Sequence, residues 1–498
     1  MTRSPDPAAA PADTDVAVVG GGPAGLLLAA ELRLGGARVT VLDERDGPTT
    51  ESRATTLHAR TMEILDARGL LDELGTPPNE PRGHFGGLPL DLTLPGPHPG
   101  QWKVPQGRTE QLLQDRAVAL GADLRRHHKV TAVLPGPDTV RIDAETPDGP
   151  VSVTARWLVA CDGEDSTVRR LTGPDFPGRD AEHELLRADV TGLDVPDRRF
   201  QRLPRGLAIA ATRAGVTRVM VHRFGRPVGE RDGKDPAFGE VAEVWRSVTG
   251  EDISGGEPHW LNAFGDAHRQ LAAYRHGRVL FAGDAAHRQM PSGGQALNLA
   301  LQDAFNLGWK LAAVVRGDAG EDLLDSYHQE RHRVGRQVLA NIDAQGSLLL
   351  GGPETEPFRA LLAELLRLEP VRAHLAGVIS GTALAYRTAG TGHPLLGARL
   401  PDTVLHRPDG TAVRSTELLR TGRGLLLPAA DGPDLREAVR PWAGRVDPAG
   451  AAPAADGPLP AREALLVRPD GHVAWAGPGP DGLAAALTRW FGPPAAHH

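Results

Sequence analysis

The run Gly20-Gly21-Gly22-Pro23-Ala24-Gly25 carries glycines in the GxGxxG spacing of a phosphate cradle. It stands between a continuous apolar run, Val16 to Val19, and a leucine- and alanine-rich stretch, Ala24 to Leu34. In that setting Gly20 permits a tight turn, Gly22 lets a pyrophosphate approach the backbone, and Gly25 allows close helix–strand packing. The N-terminus of the following helix, at Pro23 and Ala24, carries roughly half a positive charge, which favours the phosphates. Asp43 ends a second apolar segment, Ala37 to Asp43, and lies 18 residues beyond Gly25, where an acid receives ribose hydroxyls. Glu44 and Arg45 adjoin it. A glycine-rich turn alone could be structural. With strand, helix and acid in register, the reading is dinucleotide binding.

Two further strands end in an acid beside a glycine. Ala155 to Cys161 runs into Asp162-Gly163-Glu164-Asp165-Ser166, and Arg278 to Ala282 into Gly283-Asp284-Ala285-Ala286-His287. Ligands of open α/β sheets sit beyond the carboxyl ends of the strands, so these acids should gather beside the first glycine turn. After Asp284 comes Pro291-Ser292-Gly293-Gly294-Gln295-Ala296-Leu297-Asn298. It feeds a helix with apolar positions Leu297, Leu301, Ala304, Leu307, Leu311 and Val315, whose negative end is suited by Lys310 and Arg316. Backbone N–H groups at such a helix start could stabilise an anionic ring edge, such as that of a reduced flavin. A plain loop-to-helix turn is the competing reading.

The elements that must hold these groups differ in texture along the chain. Residues 15–45 read as strand, glycine turn, helix and strand, with Val16 to Val19 apolar throughout as in a parallel strand covered on both faces. Residues 180–280 mix polar and apolar residues over short runs, which predicts a mainly antiparallel sheet. Residues 295–345 and 352–372 read as helices, and from about 385 proline and glycine become frequent, which suggests a separate C-terminal domain. The 498 residues suffice for about three domains. We expect a division into 1–175 with 276–385, a middle domain at 176–275 joined by part of 80–105, and a C-terminal domain at 392–498.

Composition excludes several functions. The formal charge is −8 and the basic residues do not cluster, so a nucleic-acid partner has no footprint. One cysteine, Cys161, rules out a disulfide framework, a CxxC pair and a cysteine zinc site, and we expect no metal. No GxSxG, HExxH or P-loop motif is present. No signal-peptide pattern and no stretch of the ~18 apolar residues needed to span a bilayer is present, so the expectation is a cytoplasmic protein without a membrane partner.

Taken together, GxGxxG, Asp162-Gly163-x-x-Ser166-x-Val168-Arg169 and Gly283-Asp284-Ala285-Ala286-His287-x3-Pro291-x-Gly293-Gly294-Gln295-x-Leu297-Asn298 resemble the three-part signature of the single-component (group A) FAD-dependent aromatic monooxygenases. Within that family the chain most resembles the aromatic polyketide hydroxylases of bacterial antibiotic pathways, over nearly its whole length and including Leu465 to Gly471. The resemblance implies an α/β fold: a Rossmann-like FAD domain of the para-hydroxybenzoate hydroxylase type, a middle antiparallel sheet, and a thioredoxin-like C-terminal domain that here lacks cysteine. It implies FAD as cofactor, NADPH (or NADH) as reductant and O2 as co-substrate, with oxygen transferred from a flavin C4a-hydroperoxide to a polycyclic aromatic ring. It places Asp43 on the adenosine ribose, Arg53 and Gln106 near the flavin, and Asp162 at a motif serving FAD and NAD(P)H. Asp284 falls on the ribityl chain, and Pro291 with the backbone of Leu297 and Asn298 along the isoalloxazine.

No side chain has to act as a nucleophile in such a reaction; His287, Pro291 and Arg53 are the candidates for a direct part. Substrate is expected between the FAD domain and the sheet, with Met220, His222, Phe224 and Trp260 as candidate wall residues, each also readable as core or surface. The protein is expected to be a monomer or homodimer. Baeyer–Villiger oxidation or epoxidation would share every motif, and a non-catalytic binding protein on the same fold is a remoter alternative. One departure stands out: Ala296 replaces the glycine of the family's GGQGLN, and Arg288-Gln289-Met290 replaces a segment with histidine and proline. A methyl at 296 would remove access to positive φ, so a remodelled flavin pocket is expected.

Overall fold

The computed structural model describes residues 12–51, 54–231, 234–387, 393–429, 433–453, 459–460 and 462–495. Its centre is a parallel sheet in the order Val279–Phe281, Gly149–Ala160, Thr14–Val19, Val39–Leu42, Asp123–Arg125. The short Arg275–His276 strand adds antiparallel at one edge, and the hairpin Lys129–Pro135/Val140–Thr146 folds back on the long Gly149–Ala160 strand. Val16, Ala17 and Val18 are fully buried because helices cover the sheet, which is why this strand reads as unbroken apolar sequence. The Pro23–Leu34 helix packs against the Gln295–Arg316 helix, with Gly308 giving the room: a Cβ there would lie 2.4 Å from the Cβ of Glu31.

The stretch expected to be antiparallel is a five-stranded antiparallel sheet in the order Arg198–Leu203, Gly206–Arg213, Val216–Arg223, Glu184–Thr191, Glu257–Gly265. Its side chains alternate between two partners, as a period of two requires. Leu186, Ala188, Val190, Ala208, Ala210, Val219 and Val221 pack under the Phe238–Thr249 helix through Val241, Val244 and Trp245. The opposite face sends Leu185, Leu207, Ile209 and Phe264 against Met290 and against Val338, Ile342, Leu349 and Leu350 of the Asp322–Leu350 helix. The hairpin Arg82–Phe85/Leu88–Asp91 forms a sheet of its own, packed on the Glu369–Ser380 helix.

Beyond residue 393, Val446–Pro448, Gly424–Leu427, Ala464–Val467 and Val473–Gly477 make a mixed sheet, flanked by the Leu483–Phe491 helix. Part of this unit has a separate core around Leu405, Leu425, Leu465 and Val473. Trp475, Leu487, Trp490 and Phe491 instead join the apolar core that contains the central sheet. Among the described residues no helix is long and apolar enough to cross a membrane.

Candidate active site

Four loops meet at one edge of the parallel sheet. The strands ending at Phe281, Ala160, Val19 and Leu42 are neighbours in that order, so Asp284, Asp162, the Gly20 turn and Asp43 succeed one another along the carboxyl edge. The glycines are required by geometry. Gly20 has φ +104°, and a Cβ on it would sit 2.3 Å from the Cys161 carbonyl oxygen. A Cβ on Gly25 would lie 1.9 Å from the Gly20 carbonyl oxygen. Gly22 differs from both: a Cβ there would meet nothing within 4 Å. Its openness is the space a pyrophosphate needs above the helix N-terminus.

Asp43 is 5 % exposed and strongly engaged. Its carboxylate accepts the Gly21 N–H and the Arg45 N–H (2.8 Å), with Arg45 Nε at 3.3 Å and Arg126 Nη1 at 3.4 Å. Arg45 also reaches Glu110 (3.4 Å), a fully buried acid that accepts the Thr49 N–H at 2.7 Å and the Gln106 amide at 2.9 Å. Asp43, Arg45, Glu110 and Gln106 therefore form one hydrogen-bonded unit, whereas Glu44 is exposed and outside it. Glu110 had a signal in sequence, the i, i+4 spacing from Gln106 on a helix; Arg126 had none. Arg53 lies outside the described residues.

Asp162 accepts the Val168 N–H at 3.0 Å through Oδ2, and its buried Oδ1 has no hydrogen-bond partner among the described residues. Burial raises its carboxyl above the usual carboxylate range, against the Ser166 hydroxyl and backbone N–H groups that favour ionisation. Burial, with Asp162 and Asp303 nearby, also pushes the Cys161 thiol well up, so it is no nucleophile. Asp284 lies in the one-turn 3-10 helix Gly283–Ala285.

His287 is fully buried, with Nε2 2.9 Å from Asp303 Oδ2 and Nδ1 3.2 Å from the Gln289 amide oxygen. Both ring nitrogens are thus occupied by the protein, and the geometry points to support of the loop and not to contact with a substrate. Pro291 is exposed at the start of the glycine loop. Gly293 (φ +62°) and Gly294 (φ +69°) are both left-handed, so glycine is needed at each.

The expectation that Ala296 disturbs a positive-φ position does not hold. Ala296 is the second residue of the Gln295–Arg316 helix and is not among the positive-φ residues, so its methyl meets no backbone restriction. Lys310 also departs from its expected place at the negative helix end. It is fully buried, with Nζ 2.7 Å from Glu330.

The loop is fastened by groups that carry no motif in the sequence. The Asn298 side chain, expected to matter only through its backbone, bonds to four partners on the Thr56–His58 strand, Thr61 and Gly294. His58 is fully buried, with Nε2 2.8 Å from the Gly293 carbonyl oxygen. Burial and the nearby Lys103 push its pKa down from 6.5 to about 4, although the Gly293 carbonyl favours the protonated ring. The unfolded chain therefore takes up this proton first as pH falls. Stability is intact above about pH 6.5 and declines towards pH 4, by about 3 kcal/mol for this residue. We expect His58→Gln, which keeps a donor for Gly293, to unfold and shed cofactor less steeply with acid over that range. Equal slopes in wild type and variant, by thermal unfolding against pH, would remove His58 from the account.

On the sheet face, Met220 stands opposite Arg187 and Ile209 in register, and Ile209 belongs to the face packed against the Asp322–Leu350 helix. His222 is buried with Nδ1 2.8 Å from the Glu184 carbonyl oxygen. Trp260 carries the Arg187 guanidinium 4.4 Å above its ring. Phe224, just beyond the end of the same strand as His222, meets the His222 ring edge to face at 5.8 Å and carries the Arg202 guanidinium at 4.7 Å.

Comparison with known proteins agrees with this layout. A family model described as an FAD binding domain matches residues 13–342, and one described as the C-terminal part of aromatic-ring hydroxylases matches 393–494. The chain is 42% identical to 12-dehydrotetracycline 5-monooxygenase/anhydrotetracycline 6-monooxygenase of Streptomyces rimosus subsp. rimosus, covering 97% of this chain and 99% of that one. It is 38% identical to dialkyldecalin synthase of Streptomyces rugosporus, over 96% and 99%. The crystal structure of CabE, an aromatic hydroxylase from angucycline biosynthesis, superposes with a TM-score of 0.93 at 48% identity, over 97% and 100%.

Proposed function

The chain belongs to the family of FAD-binding aromatic-ring hydroxylases and is an FAD-dependent monooxygenase, and on that premise we propose that it hydroxylates a polycyclic aromatic, polyketide-derived substrate with NADPH as reductant. The observation that carries this reading is the succession of Asp284, Asp162, the Gly20 turn and Asp43 along one sheet edge, with Met290, between Asp284 and Gly293, packed on the face of the five-stranded sheet turned away from the Phe238–Thr249 helix.

The residues present fit FAD. Gly20, Gly22 and Gly25 leave backbone and open space for the pyrophosphate, with Pro23 and Ala24 at the helix start. Asp43, held by Gly21, Arg45 and Arg126, would take the ribose hydroxyls. The orphaned Oδ1 of Asp162 would accept a donor from the cofactor, and Asp284 would hold the ribityl hydroxyls. Gly293 and Gly294 turn the chain into the Gln295–Arg316 helix, whose first-turn backbone at Leu297 and Asn298 would border the anionic ring edge. FAD, when bound, accepts hydride from the nicotinamide and activates dioxygen.

The protein's part is to place the aromatic ring and exclude water. Arg187, Met220 and Trp260 would form the sheet-side wall. Residues 1–175 with 276–385 would make the FAD domain, 176–275 the substrate domain, and 392–498 a thioredoxin-like domain whose lack of cysteine leaves it no thiol chemistry.

The test is the absorption spectrum of purified protein, followed by NADPH oxidation with a panel of polycyclic phenols and quinones. A yellow protein whose oxidation is stimulated by one ligand, giving a ring-hydroxylated product heavier by one oxygen, is expected. A lactone or epoxide product would transfer the assignment to Baeyer–Villiger or epoxidising chemistry. A cyclised product of unchanged mass would favour the chemistry suggested by the name of the dialkyldecalin synthase.

A further inference from the structure

We infer that the C-terminal unit is a working part of the flavin site, joined to it by a buried ionic chain that passes through one turn of the Asp322–Leu350 helix. At its outer end Arg468 is 1 % exposed, in the turn between Ala464–Val467 and Val473–Gly477. Its guanidinium grips Glu330 with both terminal nitrogens (2.5 and 2.9 Å) and is held from behind by Asp470. Trp490 and Tyr386 lie 4.4 and 5.1 Å from it through their ring faces. Glu330 also receives Lys310 (2.7 Å) and Asn306 (2.8 Å) from the Gln295–Arg316 helix. Burial opposes its charge, but Arg468 and Lys310 overcome that and hold the carboxyl far below the usual range.

The next residue, Arg331, continues the chain on an adjacent face of the same helix. It is fully buried and donates to Asp303 Oδ1 at 2.6 Å, to the Tyr386 hydroxyl at 3.2 Å and to the Leu299 carbonyl at 3.3 Å. Asp303, also fully buried, uses its other oxygen for His287 (2.9 Å) and for the Gly283 N–H (3.1 Å). Gly283 immediately precedes Asp284. Asp303 therefore orients the turn carrying the ribityl-side acid, and its own orientation is set by Arg331. A dedicated packing surface would need apolar area only. Here buried charges are placed in series, and each would be left uncompensated by removal of its neighbour. Asp303, Arg331, Glu330 and Arg468 act as positioning residues, so a change at Arg468 should be felt at the flavin.

The experiment uses the full chain. Holoprotein is stripped of FAD, and the affinity for added FAD is measured by quenching of flavin fluorescence, with the midpoint potential of the rebound flavin as second readout. We expect Arg468→Met to weaken FAD at least tenfold and shift the potential, and Arg468→Lys to recover most of both. Leu466→Ala, which opens a hole in the same sheet outside the chain, should lower the Tm and leave FAD affinity within twofold. Asp303→Asn should weaken FAD as strongly as Arg468→Met, and the double variant should be no weaker than Asp303→Asn alone. If Arg468→Met does not fold, Glu330→Gln takes its place. The inference is overturned if Arg468→Met or Glu330→Gln leaves affinity and potential unchanged, if Leu466→Ala matches their effect, or if the Arg468 and Asp303 effects multiply.

Discussion

Gly22→Ala is expected to give a folded protein with wild-type apo stability that purifies colourless, its affinity for FAD lowered about 100-fold or more, which corresponds to roughly 2.7 kcal/mol. The argument rests on where a methyl group can go. Gly22 has φ −82° and ψ −176°, a conformation open to alanine, and its Cβ would meet no atom of the described residues within 4 Å. The fold loses nothing by the change. The methyl would instead fill the approach to the helix N-terminus, where a pyrophosphate must come close enough to accept backbone N–H bonds. Gly25→Ala makes the contrast, since its Cβ would press on the Gly20 carbonyl oxygen at 1.9 Å and force helix and strand apart. That variant should lose both stability and FAD. The two are separated by thermal unfolding of the apoprotein alongside FAD titration. A Gly22→Ala protein that stays yellow would mean the pyrophosphate does not pass over this turn.

Much of this site is legible in the amino-acid sequence because special backbone geometry leaves marks there. Gly20, Gly25, Gly293 and Gly294 occupy positions where a side chain is strained or collides, so residue type and spacing report the turn directly. The acids at Asp43, Asp162 and Asp284 follow apolar strands, and a parallel sheet brings the ends of its strands to one edge whatever the loops between them. The antiparallel middle sheet is similarly visible in its short alternating runs. What stays hidden depends on partners far apart in the chain. Lys310 reads as a helix-end cation until Glu330 and Arg468 are seen around it. His287 reads as a candidate for a direct part in the reaction until Asp303 is found against it. Ala296 reads as a lost glycine because the family motif has glycine there, whereas the left-handed turn is made by Gly293 and Gly294, before the helix begins at Gln295. None of these contacts has a period, because none is made within a single element.

Asn298 is the sharpest case, and Asn298→Leu is expected to cost about 4 kcal/mol or more in stability, a loss of the size that several unmet buried polar groups produce together. The side chain is 2 % exposed, and every valence of its amide is used. Oδ1 accepts the His58 N–H at 2.8 Å and the Thr61 hydroxyl at 2.7 Å, while Nδ2 donates to the carbonyls of Thr56 at 3.0 Å and Gly294 at 2.7 Å. Leucine matches the volume and supplies none of these bonds, so two donors and two acceptors would be stranded in a dry interior. Asn298→Asp should be intermediate: it keeps both acceptors, strands the two carbonyls and buries a charge. The consequence reaches the cofactor because Gly294 is the left-handed residue that turns the loop into the helix, and this side chain ties it laterally to the Thr56–His58 strand. Denaturant unfolding of the apoprotein measures the first effect and FAD titration the second. A loss below about 1 kcal/mol, the worth of a single ordinary hydrogen bond, would show that the loop holds its shape without Asn298.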